Sequence, residues 1–152
     1  MTFDIPKPMK TEHDELHKAL IRAAKSGGKT GDAAKAVAEV LHAHFLKEEE
    51  YALPPLGLLT ALIGGKVDSE MAGVLAMTDK LEAELPQMLA EHKQIVAALE
   101  KLVAAAKAEN KPEAADSAEK LMLHAQTEEQ VAYPAALLVG RYVKEHLPAV
   151  RG

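Results

Sequence analysis

Apolar positions recur along this chain with the three-to-four-residue period of helices, and glycines and prolines divide the pattern into segments. From Met9 to about Lys25, Leu16, Leu20 and Ile21 keep helical spacing, and Ser26-Gly27-Gly28 supplies the stop. Thr30 and Asp32 are suited to cap a second helix reaching about Leu53, where Pro54-Pro55 removes donors and stops or kinks it. Leu56 to Ile63 is a short apolar segment closed by Gly64-Gly65. A third helix, capped by Asp68 or Ser69, carries Met71, Val74, Leu75 and Leu81 on its stripe, is expected to kink at Pro86, and continues to about Ala108. After the Asn110-Lys111-Pro112 turn a fourth helix starts near Pro112, kinks at Pro134 and ends before Pro148. Four main helices with short connections predict an all-α, up-down-up-down four-helix bundle with a short extra helix. No linker or low-complexity stretch interrupts them, so residues 1–152 read as one domain with its core between about 10 and 146.

Composition agrees with that fold and narrows the chemistry. Aromatics make up 3% of the chain while alanine and leucine dominate, which favours helix over strand. The absence of cysteine removes disulfides, thiolate zinc sites and cysteine-held iron–sulfur clusters. A net charge of -5 offers no basic footprint for nucleic acid. The segment Met1 to Pro6 has no apolar targeting core and no stretch reaches membrane-spanning length, so a cytoplasmic protein without a membrane or nucleic-acid partner is expected. Seven histidines in a chain of this size are the unusual item.

Those histidines belong to an internal repeat. Leu41 to Pro54 aligns with Leu121 to Pro134 at an offset of 80, and Leu41, His44, Glu48, Glu49, Ala52 and Pro54 each recur as the same residue. Upstream, Glu12-His13 aligns with Glu91-His92 at an offset of 79. Residues four apart share a helix face, so His44 and Glu48 can point into one space, and so can His124 and Glu128. His13 and His92 each add an imidazole from the preceding helix. Packed together, the halves bring four histidines and two carboxylates to a common interior, related by a pseudo-two-fold axis. Apolar neighbours surround them: Val37, Val40, Leu41 and Tyr51 near His44, and Leu85, Met88, Leu89, Val96 and Leu99 near His92. Buried unpaired imidazoles and carboxylates are costly, so these groups need partners. Imidazole with carboxylate suits iron and other divalent first-row metals, and the number of groups fits two ions better than one. Two octahedral irons offer about twelve positions, of which four histidines, two bridging carboxylates and a bridging oxo or hydroxo group would fill about ten. About two positions remain for a small exogenous ligand such as oxygen or peroxide.

The pattern His13, His44-x-x-x-Glu48, His92, His124-x-x-x-Glu128 resembles that of the hemerythrin-like (HHE cation-binding) family, over about residues 10 to 145. The resemblance implies that these six residues ligate an oxo- or hydroxo-bridged diiron centre. Oxygen-carrying hemerythrins use five histidines with an HxxxH pair on the third helix, whereas Val96 stands four residues after His92 here, which argues against reversible oxygen carriage. Peroxide decomposition or sensing of oxygen species fits better, with any reductant supplied by another protein because no flavin or nicotinamide fingerprint is visible. Two further residues are candidates at the centre: His17, four residues after His13, and Tyr51, three after Glu48, as a ligand or as a hydrogen-bond partner of a bound peroxide. Glu12 and Glu91 precede ligand histidines and are placed to support them. Glu49 and Glu129 are expected to face solvent. His42 should point elsewhere, and His146 suits a helix C-terminus. The same ligands would serve an iron-homeostasis protein without turnover, and the apolar Leu56 to Ile63 segment leaves open a metal-free interaction module. A ferritin-like oxidase is disfavoured, because its two Glu-x-x-His pairs are reduced here to Glu39-x-x-His42 alone.

Overall fold

A computed structural model describes residues 1–149 of the chain. The described residues form helices joined by short connections and contain no strand. Helix α1 spans Lys7–Lys25 and α2 spans Gly28–Lys47. The turn between them uses Gly27 and Gly28 at φ +75° and +64°, a region that side chains disfavour. A side chain on Gly28 would also collide with Glu109. That glutamate caps α2 from the far end of another helix. Its Oε1 accepts from Thr30 N at 2.7 Å and Thr30 Oγ1 at 2.6 Å, and its Oε2 from Lys29 N at 3.2 Å. Thr30 and Asp32, expected to cap α2 with their own side chains, therefore lie inside the helix, and Thr30 is a donor to the cap.

Beyond α2 comes a widened π-turn, Glu48–Ala52, then a 3-10 turn at Pro54–Leu58 and the short α3 at Leu59–Ile63. Asp68 caps the 3-10 turn Ser69–Gly73 by accepting from Glu70 N, and α4 follows from Val74 to Ala108. This 35-residue helix runs as one element through Pro86. The carbonyl of Glu82 loses its partner there, but Glu82 and Pro86 are both exposed and water can replace the bond. The expected fourth helix is instead three pieces: α5 at Pro112–Thr127, a second π-turn at Glu128–Ala132, and α6 at Tyr133–His146. The π-turns occupy repeat-equivalent positions, each just ahead of the recurrent proline, Pro54 or Pro134. Where a kink was expected at Pro134, the turn before it widens.

Helix α1 packs on α2 and α5, and α4 packs on the same two, so the four close a ring, with α6 continuing against α4. A glycine at 140 lets α6 approach Thr78 of α4 so closely that an added Cβ would overlap it. One apolar core gathers Leu20, Val37, Leu41, Ile95, Leu99 and Leu121. A second gathers Leu53, Leu56, Leu81, Met88 and Ala136. On every helix of the ring the candidate ligands fall between a residue of the first core and one packed in the second. His44 lies between Leu41 and Tyr51, His92 between Ile95 and Met88, and His124 between Leu121 and Ala132. Among the described residues, no helix is long and apolar enough to cross a membrane.

Candidate metal centre

All six repeat residues are buried. Glu48 is fully enclosed and His124, the most open, retains 8% exposure. Helix periodicity puts His44 and Glu48 on one face, with His44 Nε2 3.5 Å from Glu48 Oε1. His124 Nε2 stands 3.2 Å from Glu128 Oε2 in the same way. The two carboxylates then behave differently. Glu128 Oε2 faces both His124 and His13, the latter Nε2 at 3.4 Å, while its Oε1 faces His92 Nε2 at 3.6 Å. Potential ligand atoms thus gather in two sets, His44-Glu48-His92-Glu128 and His13-His124-Glu128, each within 4.8 Å internally. Glu128 belongs to both.

Each histidine is aimed by a carboxylate on its outer nitrogen. His44 Nδ1 meets Glu91 Oε1 at 2.9 Å, and His92 Nδ1 meets Glu129 Oε1 at 2.9 Å. His124 Nδ1 bonds Glu12, and His13 Nδ1 faces Glu49 at 3.6 Å, beyond hydrogen-bond length. A carboxylate can only accept, so Nδ1 of the bonded rings carries the proton and the Nε2 lone pair is left for the interior. Lys47 backs Glu91 at 2.7 Å, and Lys10 backs Glu49 at 2.8 Å. Burial alone would raise the Glu91 carboxyl, but hydrogen bonds from Lys47, His44 and Gln87 overcome it and hold the pKa at about 2. Sequence reasoning placed Glu12 and Glu91 behind the histidines and sent Glu49 and Glu129 outward. The structure brings Glu49 and Glu129 to the histidines of the neighbouring helix as well, although the Glu129 side chain keeps 38% exposure. The signal was present: four recurrent histidines are matched by four recurrent outer glutamates.

The interior is electrostatically tense without a cation. Burial, then the charge of Glu128, pushes the Glu48 carboxyl well above the usual carboxylate range. Glu128 is held low in spite of its burial, by Glu48, His124 and His13, which face it. Burial lowers the His44 pKa, whereas at His124 burial is outweighed by Glu128 and Glu12 and the pKa rises. Glu48 Oε1 and His124 Nε2 are both buried without a hydrogen-bond partner.

One residue at the centre escaped the sequence reading. Tyr133 donates its hydroxyl to Glu48 Oε2 at 3.0 Å, and the Tyr133 hydroxyl oxygen lies 3.2 Å from His44 Nε2 and 3.1 Å from His92 Nε2. Burial, and then the charges of Glu48 and Glu128, raise its pKa far beyond that of a free phenol, so it holds its proton. Tyr51, expected at the centre, is buried but bonds Met88 Sδ at 3.6 Å instead. The π-turn is the reason. Its widened pitch stacks residue i+5, not i+3, over the glutamate: Leu53 N bonds Glu48 O at 2.9 Å, and Tyr133 N bonds Glu128 O. His17 is exposed on α1 and lies outside the buried cluster. Helix α1 keeps regular spacing, with His13, Leu20 and Ala23 buried and Leu16 half-buried on one stripe, and His17 falls beside that stripe in solvent. His42 is exposed, and His146 bonds the carbonyl of Tyr142 at the end of α6.

Residues 7–136 match the family model described as the hemerythrin HHE cation binding domain. Among curated proteins and among solved structures, no match is found.

Proposed function

The chain belongs to the hemerythrin HHE cation-binding family, and from that premise we propose that it is a non-haem diiron protein that takes up dioxygen- or peroxide-type small ligands, with hydrogen peroxide decomposition as the favoured reaction. The ligands are His13, His44, Glu48, His92, His124 and Glu128. The observation that carries this reading is the position of Glu128, whose two oxygens face separate histidine sets, as a carboxylate shared by two cations would. The residues fit such a pair: imidazole and carboxylate donors suit iron. Glu48 Oε1 and His124 Nε2 are buried polar atoms with no hydrogen-bond partner, and leaving such groups unpaired costs about 1–3 kcal/mol each. That cost weighs against a metal-free interaction module. The same reading takes the ring of helices as up-down-up-down, with the two helix pairs related by a pseudo-two-fold axis. The matched contacts His13–Glu49 with His92–Glu129, and His44–Glu91 with His124–Glu12, support it.

When bound, a pair of irons would supply the redox and Lewis-acid chemistry for an oxygen species. The protein's own groups do the rest. The outer glutamates fix the imidazole tautomers and aim Nε2 inward. Burial and the charge of Glu128 push the Glu48 carboxyl towards its protonated form, and a cation held there would favour the carboxylate. Tyr133 keeps its proton on a hydroxyl oxygen within hydrogen-bond reach of three of the groups named as ligands. The two apolar cores on either side keep bulk water out. Any electrons come from a separate protein, and a cytoplasmic location suits a chain of this make-up. Oxygen evolution by the iron-loaded protein, at half the amount of hydrogen peroxide consumed, is the expected result. An iron-loaded protein inert to peroxide would reduce the proposal to iron holding by the same ligands.

A further inference from the structure

The repeat makes the two sides of the centre directly comparable, and they differ in how they meet solvent. Between α4 and α5 lies a surface cleft of ≈ 350 Å³ whose walls include His92, Val96, Ala97, Ala125 and Glu129. Further in, a void of ≈ 10 Å³ touches Phe45, His92, Ala125, His124 and Glu128. That space is near the threshold of about 10–15 Å³ for a single water. His92 and Ala125 border both spaces, so the cleft and the void are separated by one layer of side chains, the thinnest element of which is a methyl group.

The repeat-equivalent of Ala125 is Phe45. Its ring stacks on His13 with centroids 4.3 Å apart and planes inclined by 13°. His13 is the equivalent of His92, so the approach that is a methyl thick on one side is an aromatic ring thick on the other. The equivalents of Val96 and Ala97, which shape the cleft, are the longer His17 and Lys18. A fixed packed layer transmits small molecules only where brief opening is cheap, and displacing a stacked ring costs more than passing a methyl.

We infer that small ligands reach the centre between α4 and α5, past Ala125, and that Phe45 shuts the equivalent approach between α1 and α2. The inference rests on the diiron reading and specifies the side from which a small ligand such as hydrogen peroxide enters that site. Ala125 is an access residue and holds no ligand.

The test is the rate at which azide changes the absorption of the iron-loaded full chain, measured by stopped flow beside iron content. Ala125→Phe copies the closed side onto the open one. Ala97→Trp fills the cleft from an exposed position and so avoids crowding the core. Each is expected to slow azide association by about tenfold or more, a barrier change of about 1.4 kcal/mol, with iron content and the final azide spectrum unchanged. In the Ala97→Trp background, Phe45→Ala is expected to bring the rate back up by opening the α1–α2 side. A rate that stays slow there would overturn the role of Phe45. Full iron with unchanged rates in both Ala125→Phe and Ala97→Trp would overturn the route and leave the diiron reading standing. A starting protein that binds no iron, or whose iron ignores azide, would overturn the diiron reading and the route with it.

Discussion

The helix pair α1–α2 and the pair α4–α5 carry the same histidines and the same carboxylates, yet they do different work at the centre. In the second pair Glu128 reaches both histidine sets, and Tyr133, five residues on, closes over the cluster. In the first pair Glu48 serves one set, and the equivalent of Tyr133 is Leu53, a core residue. Duplicated ligands alone would give two equal half-sites. The differences between the halves make one cluster rich in donors and leave the other, His13-His124-Glu128, with fewer. On the proposed diiron reading, the repeat would set where the cations sit and its deviations which of the two sets offers fewer donors.

The largest expected effect follows from the unequal glutamates. Glu128→Ala removes a ligand from both sets and is expected to abolish iron loading, whereas Glu48→Ala leaves His13, His124 and Glu128 together and is expected to retain about half the iron. Metal analysis with circular dichroism as a folding check measures this, and equal losses in the two variants would erase the distinction. A smaller effect is expected one layer out. Loss of an outer carboxylate typically lowers metal affinity by about 10–100-fold. Glu91→Ala should lie at the strong end, because Lys47 locks Glu91 at 2.7 Å and its pKa is held at about 2. Glu129→Ala should lie at the weak end, because Glu129 is exposed. Chelator competition ranks the two, and the reverse order would show that backing by lysine is irrelevant.

Tyr133→Phe comes next. It leaves Glu48 Oε2 without its donor, at a cost of about 1–3 kcal/mol to the metal-free protein, or about 2–4 °C in Tm per kcal/mol for a chain of this size. Tyr51→Phe, which loses only a contact to Met88 Sδ, should cost less. Thermal melts of the two metal-free variants compare them directly.

The smallest effect lies away from the centre, at the tie between the end of α4 and the start of α2. Hydrogen bonds from Thr30, chiefly, lower the Glu109 carboxyl from 4.5 to about 2. A carboxyl depressed in the folded state adds stability that is complete above its unfolded pKa and disappears as pH falls through the folded one. The tie should therefore weaken between pH 4.5 and about 2. Glu109→Gln should flatten that part of the acid-stability curve, and an unchanged curve would assign the acid sensitivity to other groups.

Much of this was legible in the sequence, because helix periodicity and an in-register repeat of the ligand positions are long-range patterns that survive without coordinates. His13, His44, Glu48, His92, His124 and Glu128 are all found by matching one half to the other, and the structure brings all six together. What was not legible depends on local departures from the regular helix. Tyr51 looked better placed than Tyr133 because an ordinary helical turn carries i+3 and i+4 over residue i, and the π-turns change that to i+5. The paired prolines at 54 and 134 were the available hint. Glu49 and Glu129 were read outward because they neighbour an inward residue. They do face outward on their own helix, and they meet histidines of the adjacent one, a contact that only packing supplies.

The most direct measurement is the iron content of the purified chain after anaerobic loading, read beside its absorption spectrum with and without azide. Two irons per chain, with oxo-bridged ferric absorption that shifts on azide and is lost in His44→Ala and His124→Ala, is the expected result. No bound iron after loading would contradict the diiron centre and leave only a helical bundle with costly unpaired groups inside.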